Sequence, residues 1–140
     1  MSPIKPSLQC LLDLSRAESV MSRRFDSRLG GGIGFSDFMI LYYLSQAEDG
    51  KLRRVDLADK IGLTASGVTR LLAPMEKIGL IARETDSRDA RVSYVSMAPG
   101  GRRLLLEKIE KAELLSEEVI PESKHSMVLQ LSELLKEIGS

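Results

Sequence analysis

The feature that most constrains the fold is a run of two short helices and a charged hairpin in the middle of the sequence. Apolar spacing predicts one helix over about residues 54–61 and a second over 64–78, with Thr64 as the N-cap of the second. Extended patterning over 80–85 and 92–97, on either side of a polar loop, predicts a β-hairpin. The order helix, tight turn, helix and hairpin restricts the chain to few architectures.

The residues at the turn have the chemistry that a helix-turn-helix requires. Ala58 is small enough for two helices to cross closely, and Gly62 can adopt the left-handed conformation that ends the first helix. The second helix is predicted to have an apolar inner face, from the spacing of Val68, Leu71, Leu72 and Met75. With the hairpin as its wing, the segment is predicted to be a winged helix-turn-helix.

The outer face of the second helix and the hairpin loop carry short hydrogen-bonding side chains and cations. Ser66, Thr69 and Arg70 share the outer face of the second helix, and a helix that enters a major groove presents such residues to base edges. Arg88 and Arg91 lie in the hairpin loop, which is narrow enough to enter a minor groove. The alternative is that both faces are simply solvated.

Two acidic residues in the same loop would oppose phosphate. We therefore expect Asp86 and Asp89 to orient the two arginines by ion pairing.

Charge is distributed unevenly along a chain whose formal net charge is zero. Residues 51–103 carry 11 basic and 6 acidic residues, whereas residues 1–50 have a net charge of −1 and residues 104–140 a net charge of −4. A basic middle segment between neutral and acidic flanks favours a local surface that faces phosphate.

The segments on either side of the winged helix-turn-helix are predicted to be helical. They carry more apolar surface than this lobe could cover. Helices are expected over 7–29, with Ser7 as N-cap, from Ser36-Asp37 to Ala47, and over 102–119 and 122–138. The fold class is therefore mainly α with a small β-hairpin (α+β). We expect one domain, 1–140, with a winged lobe at about 35–98. The excess aliphatic surface predicts that 7–29 and 102–138 are dimerisation helices.

The segment ADKIGLTASGVTRLLAPMEKIGLIARETDSRDARVSYVSMAPGGRRLL resembles the MarR family of transcriptional regulators. The resemblance rests on the helix-turn-helix, on Gly79-Leu80-Ile81 at the entry to the wing, and on Asp86-x-Arg88-x-x-Arg91. It implies a homodimer that places recognition helices in successive major grooves of a pseudo-palindromic operator in double-stranded DNA, with wings in the flanking minor grooves. It implies Ser66, Thr69, Arg70, Arg88 and Arg91 as DNA-facing residues, and a repressor that a small aromatic or lipophilic effector releases.

Two features of the sequence bear on regulation, and each has two possible interpretations. Cys10 lies near the position of a peroxide-sensing cysteine in one branch of the resembled family, but Arg24 and Phe35 stand where that branch has tyrosines. Cys10 is therefore either a redox sensor or a small structural side chain. The aromatic side chains near the join of the first two helices either line an effector pocket or belong to the core: Phe25, Phe35, Phe38, Tyr42 and Tyr43.

Other classes of protein find little support in the composition. His125 and Cys10 are the single residues of their types, and neither lies in a catalytic or metal-binding motif, so we expect no enzyme, cofactor or metal site. A winged helix used only for protein contact would not need Arg70, Arg88 and Arg91. Without a membrane span or secretory signal, the expected location is cytoplasmic.

Overall fold

The computed structural model describes residues 2–140, which form six α-helices, one 3-10 helix and a three-stranded sheet. The helices are α1 (Pro6–Arg28), α2 (Phe35–Gln46), α3 (Arg54–Ile61), α4 (Ala65–Lys77), α5 (Pro99–Val119) and α6 (Val128–Glu137), and the 3-10 helix is Glu122–Met127. The strands are β1 (Lys51–Arg53), β2 (Ile81–Thr85) and β3 (Ser93–Met97). The predicted mainly helical fold with a small β-hairpin is confirmed.

The sheet contains a strand that the sequence did not predict. Strand β3 lies in the centre and pairs antiparallel with both β1 and β2. In β1, Leu52 lies opposite Val95, and the strand leads directly into α3. Three residues are too few to show an alternating pattern, so only the pairing with β3 reveals this strand.

Helix α5 begins at Pro99, three residues earlier than the predicted Arg102. Pro99 occupies the first turn, where a missing N–H costs nothing. Gly101 is buried, and a Cβ there would collide with the carbonyl oxygen of Leu80 and crowd Leu41. Gly100 and Gly101, in the first turn of α5, therefore allow this helix to approach the lobe closely.

Three further expectations need correction. Ser7 is not the N-cap of α1, because the helix begins at Pro6 and Lys5 occupies the cap position. The predicted helix over 122–138 is a 3-10 helix followed by α6. The spacing in α2 predicts a buried face of Phe38, Leu41 and Tyr42, of which only Leu41 is fully buried. Ile40 and Leu44 complete the buried face, which is displaced around the helix.

The core lies where α2, α3, α4 and the sheet meet. Its fully buried large side chains include Ile40, Leu41 and Leu44 from α2, Leu57 from α3, and Val68 and Leu72 from α4. The predicted inner face of α4 is confirmed for Val68, Leu72 and Met75, while Leu71 is half-buried. This packing fixes which side of α4 points outward.

The N-terminus of α4 offers a local stability prediction. The Thr64 side chain accepts a hydrogen bond from the backbone N–H of Gly67 at 3.1 Å, which confirms the predicted cap. Thr64→Ala leaves that donor without its partner and should lower the free energy of unfolding by about 1 kcal/mol. Thr64→Ser keeps the hydroxyl and serves as the control in chemical denaturation. Equal midpoints for both variants would contradict this role.

Candidate nucleic-acid interface

Helix α4 is held against α3 so that one side is free. Gly62 ends α3 in the left-handed conformation (φ 72°), and the chain turns into the Thr64 cap within two residues. Leu57 and Ala58 from α3 are buried together with Val68 and Leu72 from α4. Because α4 buries one stripe, the residues on the opposite stripe face outward.

Two of the three predicted α4 site residues are exposed. The Ser66 hydroxyl lies 3.2 Å from that of Thr64 at the start of the helix. Arg70 is exposed one turn further along and forms no ion pair with a carboxylate of residues 2–140. Both side chains can therefore reach a partner outside the chain.

Thr69 is placed differently from Ser66 and Arg70. It is half-buried, and its hydroxyl donates to the carbonyl oxygen of Ala65 at 3.0 Å. The hydroxyl oxygen of Thr69 also accepts a hydrogen bond from Nη1 of Arg54 at 3.0 Å. Since a hydroxyl has a single proton to donate, Thr69 retains only acceptor capacity for a base edge. Thr69 is therefore less free to contact a partner than Ser66 and Arg70.

The wing is the β2–β3 hairpin with its loop, residues 86–91, which we call the wing loop. Asp89 pairs with Arg91 through two hydrogen bonds, Nε to Oδ1 at 3.1 Å and Nη2 to Oδ2 at 3.2 Å. The Arg91 side chain nevertheless remains 91% exposed. Asp89 therefore holds Arg91 as predicted, in a planar two-point geometry that orients the guanidinium.

Asp86 acts on the backbone and not on the Arg88 side chain. Its Oδ1 accepts hydrogen bonds from the N–H groups of Arg88 at 2.7 Å and of Asp89 at 3.2 Å. Within residues 2–140 neither Asp86 nor Arg88 forms an ion pair, so the ion pairing predicted for Asp86 is wrong. An aspartate that bonds amides two and three residues ahead forms a turn, and this turn leaves Arg88 exposed.

Both aspartates are held in their charged form. The backbone N–H of Arg88 is the main cause that lowers the pKa of Asp86. The side chain of Arg91, followed by its backbone N–H, lowers the pKa of Asp89. A carboxyl whose pKa falls on folding stabilises the folded loop above its ordinary pKa and loses that effect as the pH falls through the folded value. At neutral pH both carboxylates are therefore charged and able to accept these bonds.

This ordering gives a pH prediction. As the pH falls below the ordinary aspartate value of 3.8, protonation of Asp86 should weaken its bonds to the Arg88 and Asp89 amides. The amide resonances of these two residues should then shift with a common midpoint below 3.8. In Asp86→Asn that shared titration should disappear. A midpoint above 3.8 in the wild type would contradict the assignment.

The sheet supports the wing loop from beneath. The Tyr94 hydroxyl on β3 donates to Oδ2 of Asp86 at 3.3 Å. The Lys51 ammonium on β1 lies 4.9 Å from the centre of the Tyr94 ring and 3.4 Å from a carboxylate oxygen of Glu84. Lys51 and Tyr94 thus connect all three strands to the loop, and Lys51 was missed because β1 was not predicted.

The same strand brings two further arginines to the wing. Arg53 ends β1 opposite Tyr94, and Arg54 begins α3. Both line a cleft with Arg91 and Ser93 at the base of the wing. Sequence analysis missed them because their proximity to Arg91 depends on a long-range strand pairing.

The other candidate residues lie away from this surface. Cys10 is exposed on α1, so in the isolated chain it is not a buried structural side chain, and the thiol bonds to no side chain of residues 2–140. His125 contacts the carbonyl oxygen of Ile120 at 2.8 Å through Nε2. Within the described part of the chain, no group of three metal-ligating side chains occurs. None of the helices among residues 2–140 has the length and apolar composition needed to cross a bilayer.

The aromatic residues near the first two helices line a cleft. Phe25 and Phe35 pack edge to face with ring centres 4.8 Å apart, and Phe25 is buried. With residues of α5 they border a cavity of about 240 Å³, whose lining is Phe25, Phe35, Phe38, Tyr42, Ile109, Ala112, Glu113 and Ser116. Tyr43 does not line it and packs against the core instead.

Comparison with known proteins agrees with this geometry. Residues 36–93, which contain α2 to the start of β3, match the model of the MarR family. In this segment the winged helix-turn-helix is similar to that of the MarR family. The resemblance inferred from the sequence is therefore confirmed. A search of curated protein sequences finds no match.

Solved structures of DNA-binding and transcriptional regulators match the fold along almost the whole chain. The regulator BldR from Sulfolobus solfataricus is 28% identical, with a TM-score of 0.83 over 99% of this chain and 100% of BldR. A variant of MarR from E. coli complexed with operator DNA is 20% identical, with a TM-score of 0.80 over 99% and 100%. BpsR from Bordetella bronchiseptica is also 20% identical, with a TM-score of 0.81 over 94% and 99%. The chain therefore has the fold of a MarR-family transcriptional regulator.

Proposed function

We propose that this chain is a sequence-specific regulator of transcription that binds double-stranded DNA as a homodimer. The observation that carries the proposal is the shared exposure of Arg70 on α4 with Arg88 and Arg91 on a wing loop ordered by Asp86 and Asp89. Helix α4 would read base edges in the major groove, and the wing arginines would enter the adjacent minor groove. In this proposal the protein has no catalytic role.

Each site residue has a distinct part in the proposed complex. Ser66 and Arg70 are free to contact bases or phosphates, whereas Thr69 can only accept a hydrogen bond, because its proton is donated to Ala65. Arg88 and Arg91 supply the minor-groove charge. In the E. coli MarR variant the bound partner is operator DNA, and we extend that kind of partner to this chain.

The dimer is proposed from apolar surface that the single chain leaves uncovered. Helix α6 has no buried residue in the described chain. Between α1, the end of α5 and α6 lies a groove of about 550 Å³, to which Val119, Met127, Leu131 and Leu134 contribute. Such a large apolar surface favours a subunit interface, and a second copy of the chain would cover it.

The groove is flanked by more exposed apolar side chains of the same helices. In α1 these are Leu8, Leu11 and Leu12. Beyond the groove they are Leu135 in α6 and Ile138, which follows directly after that helix. The predicted dimerisation helices 7–29 and 102–138 contain all of them.

The proposed regulation is repression relieved by a small aromatic or lipophilic effector. The aromatic cleft has a few polar groups, such as Glu113 and Ser116, among apolar walls, as ligand sites do. It joins α1 and α5 to α2, so a bound ligand would contact both the lobe and the flanking helices. DNA binding by BpsR is regulated by 6-hydroxynicotinic acid. No observation favours the alternative of redox sensing through Cys10 over this one.

The proposed function is tested by selecting a duplex from a random-sequence pool with the wild-type protein. Fluorescence anisotropy then compares the selected duplex with a scrambled duplex of equal length. We expect preferential binding of the selected duplex, with affinity that falls steeply as salt rises. Equal affinity for both duplexes, or binding that is independent of salt, would reject the proposal.

The effector is tested in the same assay. Small aromatic carboxylic acids and phenols are titrated into the complex, and an effector should release the duplex while raising the thermal midpoint of the free protein. Filling the cleft by Ala112→Phe should abolish both responses without changing DNA affinity. Responses that persist in Ala112→Phe would place the effector elsewhere.

A further inference from the structure

A small cationic cleft lies at the base of the wing, beside α3. Its lining is Arg53, Arg54, Val55, Arg91, Val92 and Ser93, and its volume is about 90 Å³. Pockets for drug-sized ligands typically measure roughly 300–1,000 Å³, so this cleft suits a small group. Three of its six lining residues are arginines, and none is acidic. The chemistry that matches such a lining is a small anion.

The fold brings these arginines together through the sheet. Strand β1 pairs with β3 so that Arg53 lies opposite Tyr94, and Ser93 and Val92 continue from there to Arg91. Arg54 follows as the first residue of α3. The cleft is therefore built from the junction of the helix-turn-helix with the wing, the two elements that carry the proposed DNA contacts.

Two of the guanidinium groups are oriented before any ligand binds. Nη1 of Arg54 donates to the Thr69 hydroxyl on α4 at 3.0 Å, and Arg54 is half-buried. Arg91 is held by Asp89 through Nε and Nη2. Because a guanidinium carries five N–H donors, both arginines keep further donors for a ligand. Prior orientation reduces the entropy that binding costs.

The acidic groups nearby do not cancel this charge. Asp89 neutralises part of the charge of Arg91, and Asp56 lies exposed in the first turn of α3. Within residues 2–140, Arg53 and Arg54 form no ion pair with any carboxylate. The balance of the cleft therefore remains positive.

We propose that this cleft binds one phosphate of the operator backbone and thereby fixes the lobe between the major-groove helix and the minor-groove wing. The inference rests on the proposed function, because the phosphate belongs to the duplex that α4 reads. A backbone phosphate carries no sequence information, so Arg53 and Arg54 contribute affinity and register. Arg54 also couples the phosphate to α4 through Thr69.

The test compares Arg53→Gln/Arg54→Gln with wild type on the selected duplex and on the scrambled duplex over a range of salt. We expect about a tenfold loss of affinity on both duplexes. The slope of log affinity against log salt should decrease in magnitude by about 0.9 for each phosphate that the variant no longer neutralises, and so once per protomer. Arg53→Lys/Arg54→Lys keeps the charges and should keep the wild-type slope.

Two further variants act as controls. Arg102→Gln removes an exposed cation outside the cleft and should leave the slope unchanged. Thr69→Val removes the hydrogen bond to Arg54 but no charge, so its salt slope should also match wild type. Thermal unfolding of every variant shows whether the lobe is intact.

The outcomes separate the two proposals. If wild type prefers the selected duplex but the double glutamine variant, folded, has the wild-type salt slope, the phosphate cleft is wrong and the proposed function stands. A loss confined to the selected duplex would also overturn the cleft, because it would indicate base recognition. If wild type binds no duplex, the proposed function fails and the cleft proposal fails with it.

Discussion

Leu134→Glu is expected to convert the protein from dimer to monomer and to reduce its affinity for the selected duplex by about a hundredfold or more. Leu134 lines the apolar groove between α1, the end of α5 and α6. In the dimer a glutamate there would be buried without a partner, which strongly opposes association. Since two linked lobes can exceed the affinity of one lobe by a factor of about 10²–10⁴, loss of the dimer should abolish most of the specific binding.

Sedimentation equilibrium and anisotropy on the same preparations check this result. Leu129→Glu is the matched control, because Leu129 is 81% exposed, lies on the same helix and does not line the groove. That variant should remain a dimer with wild-type affinity. A Leu134→Glu protein that stays dimeric, or a monomer that binds the duplex as tightly as wild type, would contradict the proposed interface.

Arg70→Ala is expected to weaken binding to the selected duplex by about 1–3 kcal/mol, with little change on the scrambled duplex. Arg70 is exposed on the outer stripe of α4, two residues after the buried Val68, and forms no ion pair within residues 2–140. A free guanidinium on a groove-facing helix can make two hydrogen bonds to a guanine edge. The loss should therefore concentrate on one base pair in each half-site.

The measurement is a set of single base-pair substitutions in the duplex, each titrated with wild type and with the variant. Arg70→Lys keeps the charge but loses the planar two-point geometry, so it should also relax specificity. Lys77→Ala removes an exposed cation from the last turn of α4 and should have a smaller effect on specificity. Equal losses on every sequence would show that Arg70 contacts phosphate and not a base.

The lobe could be predicted from sequence because its signals are local. The Thr64 cap, the left-handed Gly62 and the inner stripe of α4 each depend on residues close in sequence, and the structure confirms them. The arginine-bearing wing loop was predicted for the same reason. The Asp89–Arg91 pair spans only two residues, so it too was accessible from the sequence.

The features that could not be predicted depend on contacts between segments that are distant in the sequence. Strand β1 exists because it pairs with β3, more than 40 residues away, and without it neither Lys51 nor Arg53 could be placed near the wing. Likewise, nothing in the local sequence shows that Thr69 shares its hydroxyl with Arg54, 15 residues earlier. Gly101 precedes the helix predicted over 102–119, yet it belongs to α5 and is required there by the close approach of Leu80.

Chemical footprinting of the selected duplex tests most directly whether two copies of this chain clamp DNA through α4 and the wing. Methylation of guanine N7 reports the major groove, and hydroxyl-radical cleavage reports the backbone. We predict two protected major-groove segments related by a dyad and about one helical turn apart, each flanked by a protected minor groove. Major grooves that remain fully reactive in a saturated complex, or protection without two-fold symmetry, would contradict the account.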